Sequence, residues 1–338
     1  MERIFLFDTT LRDGSQTKGI DFSVADKIAI CEELASIGID YIEAGWPGAN
    51  PIDDKFFSSV PKFKNSKVVS FGMTRRAETS AGNDPSLNSV LSTEVPVTCL
   101  VGKTWDFHVK KTLNVSLNEN LSMIDDSIKY SISKKKETIF DCEHFFDGYK
   151  NNKDYAMDCI RVAYDSGARW IVLCDTNGGS LPFEIEKIVA EIKNKFPEVP
   201  LGIHCHNDTG TAVASSLAAV KEGVRHVQGT INGIGERCGN ADLITIIPNL
   251  ILKLGFDVGI EKDKLVKLKK LSRMVDERLN RLSIVNQPYV GESAFAHKGG
   301  LHASGMKKDN RTYEHISPEL VGNERSFIIS DQTGKSNI

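Results

Sequence analysis

The chain has 338 residues, 40% hydrophobic and 26% charged, which is the balance of a globular protein with one large domain and a small appendage. Its 42 basic and 45 acidic side chains leave a formal charge of −3 and are spread along the chain, so no basic field exists to attract nucleic acid or an anionic membrane surface. No stretch approaches the roughly 18 apolar residues of a membrane span, and the start Met1–Asp8 lacks the apolar core and cleavage site of a secretory leader, which predicts a cytoplasmic protein.

Short apolar runs rich in Ile and Val alternate with longer amphipathic stretches from residue 3 onward. The predicted strands, in chain order, are Ile4–Asp8, Tyr41–Gly45, Val68–Gly72, Val95–Val101, Glu137–Cys142, Trp170–Cys174, Gly202–His206 and His226–Thr230. Eight strands, each followed by a helix, predict a (β/α)8 TIM barrel over residues 1–260 rather than an open doubly wound sheet. No GxGxxG follows the first strand, which weakens a dinucleotide fold further. Residues 261–338 then form a small, mainly helical part. Within it Lys262–Leu282 carries Leu265, Leu268, Leu271, Met274, Val275, Leu279 and Leu282 near helical spacing, which predicts a helix packed on the barrel or on a partner subunit. The ending, Ser330–Ile338, is polar and abrupt and reads as a cut from a longer protein. The seven cysteines are odd in number and never form CxxC, so they are expected to be mostly core thiols. Lys134-Lys135-Lys136, the one compact basic run, is expected to be a solvated helix end.

In such a barrel, chemistry collects at the C-terminal ends of the strands. Unusual residues fall there: Asp8-Thr9-Thr10-Leu11-Arg12-Asp13-Gly14-Ser15-Gln16 after the first strand, Glu43 on the second, Glu143-His144 after the fifth, Asp175-Thr176-Asn177 after the sixth, and His204 and His206 on the seventh. Residues two apart on a strand share a face, so both imidazoles of His204-Cys205-His206 can reach one ion while Cys205 turns away. An isolated HxH is more often an ordinary pair of core histidines. Here Asp13 completes a two-histidine, one-carboxylate set with open positions for substrate. The Arg12 guanidinium suits a carboxylate or a developing enolate oxygen, the plain alternative being a salt bridge at the barrel mouth. Glu43 either orients Arg12 or is purely structural. Thr176 offers a hydroxyl to a substrate carboxylate or serves a simple turn, and Asp175 is a capping candidate. In the loop Asn232–Asn240, glycines permit close backbone approach to a phosphate or thioester.

Taken together, Asp8–Gln16, His204–Asp208 and Gly233–Asn240 resemble the DRE-TIM metallolyase superfamily, in its branch of 2-isopropylmalate, homocitrate and citramalate synthases, over essentially the whole chain. Gly45–Pro51, Glu143–Lys150 and Ser330–Asn337 resemble the citramalate-synthase group of that branch. The resemblance implies a Claisen condensation of acetyl-CoA with a 2-oxo acid, pyruvate first, in isoleucine biosynthesis, with 2-isopropylmalate or homocitrate synthase as the alternative. It implies that Asp13, His204 and His206 bind a divalent ion (Mg, Mn or Zn), with Asn240 in the outer shell. Arg12 then stabilises the enolate oxygen, Thr176 holds the substrate carboxylate with Glu43 beside Arg12, Glu143 and His302 form the acid–base pair, and Gln16, Glu236 and Asn240 lie at the thioester end of acetyl-CoA. His302 lies beyond the barrel, so a homodimer is implied in which this segment reaches over the partner's barrel, with His297 and Tyr313 as helpers. Family members commonly continue into an effector-binding domain, which this chain stops short of. Two rival readings are cleavage of the HMG-CoA-lyase type and a non-catalytic acyl-CoA or oxo-acid binding protein. The first is weakened by Cys238 lying inside Gly-Glu-Arg-Cys-Gly-Asn, the second by the presence of every proposed ligand and both acid–base residues.

Overall fold

The computed structural model describes residues 2–328. Its centre is a closed barrel of eight parallel strands: β1 Phe5–Asp8, β2 Tyr41–Gly45, β3 Lys67–Met73, β4 Val97–Lys103, β5 Glu137–Glu143, β6 Trp170–Asp175, β7 Leu201–Cys205 and β8 His226–Gly229. The ring closes where β1 pairs with β8, from Phe5 opposite His226 to Asp8 opposite Gly229. The expected TIM barrel is therefore the fold.

Boundaries differ in ways that have causes. β4 begins at Val97 and not Val95 because Pro96 has no N–H to give the ladder; its carbonyl instead accepts from Glu137 N–H at 3.0 Å. β7 ends at Cys205, and His206 makes only a single antiparallel bridge, to Asn240 of the loop after β8. The predicted helix Lys262–Leu282 splits into a 3-10 turn, Lys262–Lys267, and an α-helix, Leu268–Arg278. Asn280 adopts a positive φ of 51°, which ends the helix and leaves Leu282 96% exposed while Leu265, Leu268, Leu271, Val275 and Leu279 are buried. Lys136 is less solvated than expected, since its ammonium donates to the Val95 carbonyl at 2.6 Å. Six cysteines are buried and free, and Cys238 is exposed. Residues 330–338, which carry part of the family resemblance, lie outside the described residues.

The strands are buried on both faces, as a parallel sheet wrapped by helices requires. Outward residues such as Leu6, Ile42, Leu100, Phe140 and Ile203 pack on the helices. Inward residues make a separate cluster that includes Phe7, Tyr41, Val69, Val97, Ile139, Trp170 and Val172. Its lowest layer surrounds His226, whose ring centroid lies 5.3 Å from Phe7, 5.6 Å from Tyr41 and 5.3 Å from Trp170. Moving up the strands, inward positions change from apolar to polar: β5 runs Ile139, Asp141, Glu143, and β6 runs Val172, Cys174 and on to Thr176 just beyond its end. That change of lining is what places a site at the mouth.

Candidate active site

The short turn after β1 folds back on itself, with the N–H groups of Arg12, Asp13 and Gly14 all pointing at the Thr9 carbonyl, at 3.2, 2.9 and 3.0 Å. This turn delivers Arg12 and Asp13 to the barrel axis. Asp13 Oδ2 lies 3.2 Å from His204 Nε2 and 3.8 Å from His206 Nε2, and ligand-capable atoms of the three all fall within 4.8 Å of one another. The outer nitrogen of His204, Nδ1, contacts Gln228 Oε1 at 2.8 Å, and Gln228 Nε2 donates to Asp141 Oδ1 at 3.0 Å. Because Asp141 claims the amide hydrogens, Gln228 presents an acceptor, so Nδ1 carries the hydrogen. The Nε2 lone pair of His204 then faces a carboxylate oxygen across 3.2 Å. Two acceptors so placed call for a shared cation or proton between them, which is the arrangement a divalent ion fits.

The electrostatics agree. Burial raises the Asp13 carboxyl, but Arg12 and the two imidazoles outweigh it and hold the group well below the usual carboxylate range. Burial lowers His204, yet the hydrogen bond to Asp13 and its charge reverse that and leave it raised. For His206 the charge of Asp13 does not suffice: burial, then the neighbouring His204, push it down to about 4, the neutral form that ligates. Burial and the nearby Glu43 lift Asp141 to about 6.

Arg12 is gripped from two sides. Its Nε donates to Glu43 Oε2 at 2.7 Å, and its guanidinium lies over the Phe71 ring, 4.0 Å from the centroid. Thr9 Oγ1 donates to the same Glu43 oxygen at 2.5 Å. Across the mouth, Glu143 pairs with Lys103 at 2.6 Å. Thr176 Oγ1 accepts the His144 N–H at 2.8 Å, and the Thr176 carbonyl accepts from Arg237 at 2.7 Å. His144 adopts a left-handed backbone, φ 57°, to make that contact.

A cavity of about 260 Å³ opens between these groups and is lined by Arg12, Asp13, Gln16, Glu143, Thr176, His204, His206 and Glu236 among others. Several expected residues do not line it. Glu43 is fully buried behind Arg12, so it reaches a substrate only through that guanidinium. Asn240 is buried behind His206, its Oδ1 without a partner among the described residues, and its side-chain nitrogen donates to Ile234 O at 3.2 Å. His302 lies on the post-barrel helix Gly300–Lys308, exposed, its ring stacked on Tyr313 at 4.0 Å. His297 is buried against Glu314 at 3.4 Å, also away from the cavity. Sequence reading missed Lys103, Asp141, Gln228 and Phe71. A charged or amide residue two positions along from another polar one inside an apolar strand, as in Asp141 before Glu143, was the available signal.

Fold and site together define a (β/α)8 barrel with a two-histidine, one-carboxylate centre available at its strand ends. The chain belongs to the HMGL-like family, which matches residues 3–274, and residues 289–338 match the homocitrate synthase post-HMGL domain-like family. It is 54% identical over 339 residues to an (R)-citramalate synthase of Aquifex aeolicus (strain VF5), covering 100% of this chain and 64% of that protein. It thus spans just under two thirds of that relative's length. A 2-isopropylmalate synthase of Sulfurisphaera tokodaii is 34% identical, covering 98% of this chain and 83% of that one. Among solved structures, an HMG-CoA lyase of Bacillus subtilis superposes with a TM-score of 0.71 at 18% identity, over 83% of this chain and 95% of that chain; this likeness is one of fold.

Proposed function

We propose that this chain carries the catalytic barrel of a synthase that condenses acetyl-CoA with pyruvate and water to give (R)-citramalate and CoA, a step of isoleucine biosynthesis in the cytoplasm. The observation that carries the reading is the convergence of Asp13, His204, His206, Arg12, Thr176 and Glu143 on one small cavity. Similarity along the whole of this chain to an (R)-citramalate synthase supports the choice of oxo acid.

Bound at Asp13, His204 and His206, a divalent ion (Mg, Mn or Zn) supplies positive charge that polarises the keto group of the oxo acid. Thr176 takes the substrate carboxylate: its oxygen is already occupied by the His144 N–H, so its own hydrogen is free to donate. Glu143 removes a proton from the acetyl methyl group, and Arg12, held by Glu43 and Phe71, stabilises the enolate oxygen that develops. The enolate carbon bonds to the keto carbon, whose oxygen takes up a proton. Water then breaks the thioester C–S bond, releasing CoA and drawing the condensation forward. Gln16 and Glu236 border the thioester end, and Asn240 backs His206.

His302 is assigned the proton delivery, supplied by the post-barrel segment of a second copy in a homodimer. Support comes from its lying outside the lining of this chain's own cavity and from apolar side chains left uncovered on the same segment, Leu301 at 77% and Leu282 at 96% exposed. The test is CoA release, followed with a thiol reagent, from acetyl-CoA with pyruvate, 2-oxoisovalerate or 2-oxoglutarate. Pyruvate-selective release that disappears in Asp13→Ala is the expected result. Preference for 2-oxoisovalerate would move the chain to the 2-isopropylmalate synthases, the second reading that the Sulfurisphaera relative favours.

A further inference from the structure

The cavity of about 260 Å³ around Asp13 is separated from a second one, of about 420 Å³, by residues that line both: Trp46, Met73 and Lys103. Lys103 is committed to Glu143 at 2.6 Å, so the apolar part of this partition is Trp46 and Met73. Trp46 is the larger, and its mounting is unusually firm. Its indole meets Phe71 edge-on, at 5.5 Å between centroids and 82° between planes, and Phe71 in turn bears Arg12 on its face.

The backbone beneath Trp46 is fixed by a buried ion pair. Asp53 accepts the Trp46 N–H at 2.8 Å and the Asn50 side-chain amide at 2.9 Å, while its other oxygen pairs with Lys27. Lys27, itself buried, also donates to the Ala44 carbonyl at 2.8 Å. Asp53 can sit this close only because residue 45 is glycine: φ is 149°, and a Cβ there would lie 2.5 Å from the Asp53 carboxyl carbon. The indole is therefore a wall held in place from behind.

We propose that Trp46 is the specificity-determining residue that limits the side chain of the 2-oxo acid, an inference that rests on the synthase reading. The carboxylate and keto group of the oxo acid are taken by Thr176 and the Asp13 group, so the remaining substituent faces the apolar lining. A methyl group fits against the indole. A branched chain needs space that lies on the other side of the partition, and removing the indole joins the two cavities.

The test is kcat/KM for pyruvate and 2-oxoisovalerate, with the acetyl-CoA KM, in wild type, Trp46→Phe, Trp46→Leu and Trp46→Ala, each checked for folding by thermal melting. The expected result is a rise of about tenfold or more in the 2-oxoisovalerate to pyruvate ratio in Trp46→Ala, within the roughly 10–200-fold that one methylene commands, with smaller steps in Leu and Phe. Should Trp46→Ala fail to fold, the Phe and Leu variants decide. An unchanged ratio, or a change confined to the acetyl-CoA KM, overturns the inference while leaving the synthase reading intact. A wild type that releases no CoA with pyruvate overturns both.

Discussion

The floor and the mouth of the barrel are built by the same eight strands, and each holds a buried histidine on one of two adjacent strands. At the floor, His226 on β8 is ringed by Phe7, Tyr41 and Trp170, and neither ring nitrogen has a hydrogen-bond partner among the described residues. Burial, with a smaller push from Arg169, lowers it to about 3. At the mouth, His204 on β7 is just as deeply enclosed but has Gln228 on one nitrogen and Asp13 on the other, and it is raised. Burial alone makes an imidazole a neutral core side chain; a carboxylate and an amide acceptor turn the same side chain into a place for positive charge.

The comparison breaks most visibly with Asp13→Ala, which removes the carboxylate from the mouth and leaves the floor untouched. CoA release should fall by about a thousandfold or more, with a melting temperature close to wild type. Gln228→Leu, which frees the outer nitrogen of His204 and strands Asp141, should weaken divalent-ion binding roughly 10–100-fold, measured by competition against a fluorescent chelator. At the floor the effects exchange places. His226→Ala should cost about 2–5 kcal/mol of stability in denaturant unfolding, as for other large-to-small core changes, with kcat altered less than about threefold.

A pH series sharpens the contrast. The ordinary His value is 6.5 and that of folded His226 about 3, so between these pH values the unfolded chain binds the proton and the folded one does not. The contribution of His226 is therefore fully present above pH 6.5 and lost as pH falls toward 3. Asp8, lifted by burial to about 7, and Asp141 act in the opposite sense, since the folded state takes up their protons first. The difference in melting temperature between wild type and His226→Phe isolates the histidine. It should favour the variant progressively below pH 6.5, and a constant difference from pH 7 to pH 4 would show that the floor does not exclude the proton.

All eight strands were legible because each is a short apolar run closed on both faces, and burial on both faces is what such a run encodes. The residues that converge at the mouth were legible where they stand after a strand, as Arg12 and Asp13 do. Inside strands, His204 and Glu43 were legible but the residues behind them were not: Gln228 and Asp141 look like interruptions of a core until the register brings them behind His204. His302 shows a different limit. Its motif is readable, but this chain's own fold stacks it on Tyr313 outside the cavity. The post-barrel helix was overrun at both ends: its first turns, Lys262–Lys267, are 3-10, and Leu282 keeps the apolar spacing after the left-handed Asn280 has turned the backbone away.

The seam of the barrel also governs when a nascent chain can possess its centre. Asp13 follows the first strand, His204 lies on the seventh, and β8, which pairs with both β1 and β7, is what brings them side by side. A ribosome-bound fragment that lacks β8 has every ligand already synthesised, yet no strand to hold them together. Asp13, His204 and His206 meet only when the ring is complete, so topology keeps the three donors of a half-made polypeptide apart.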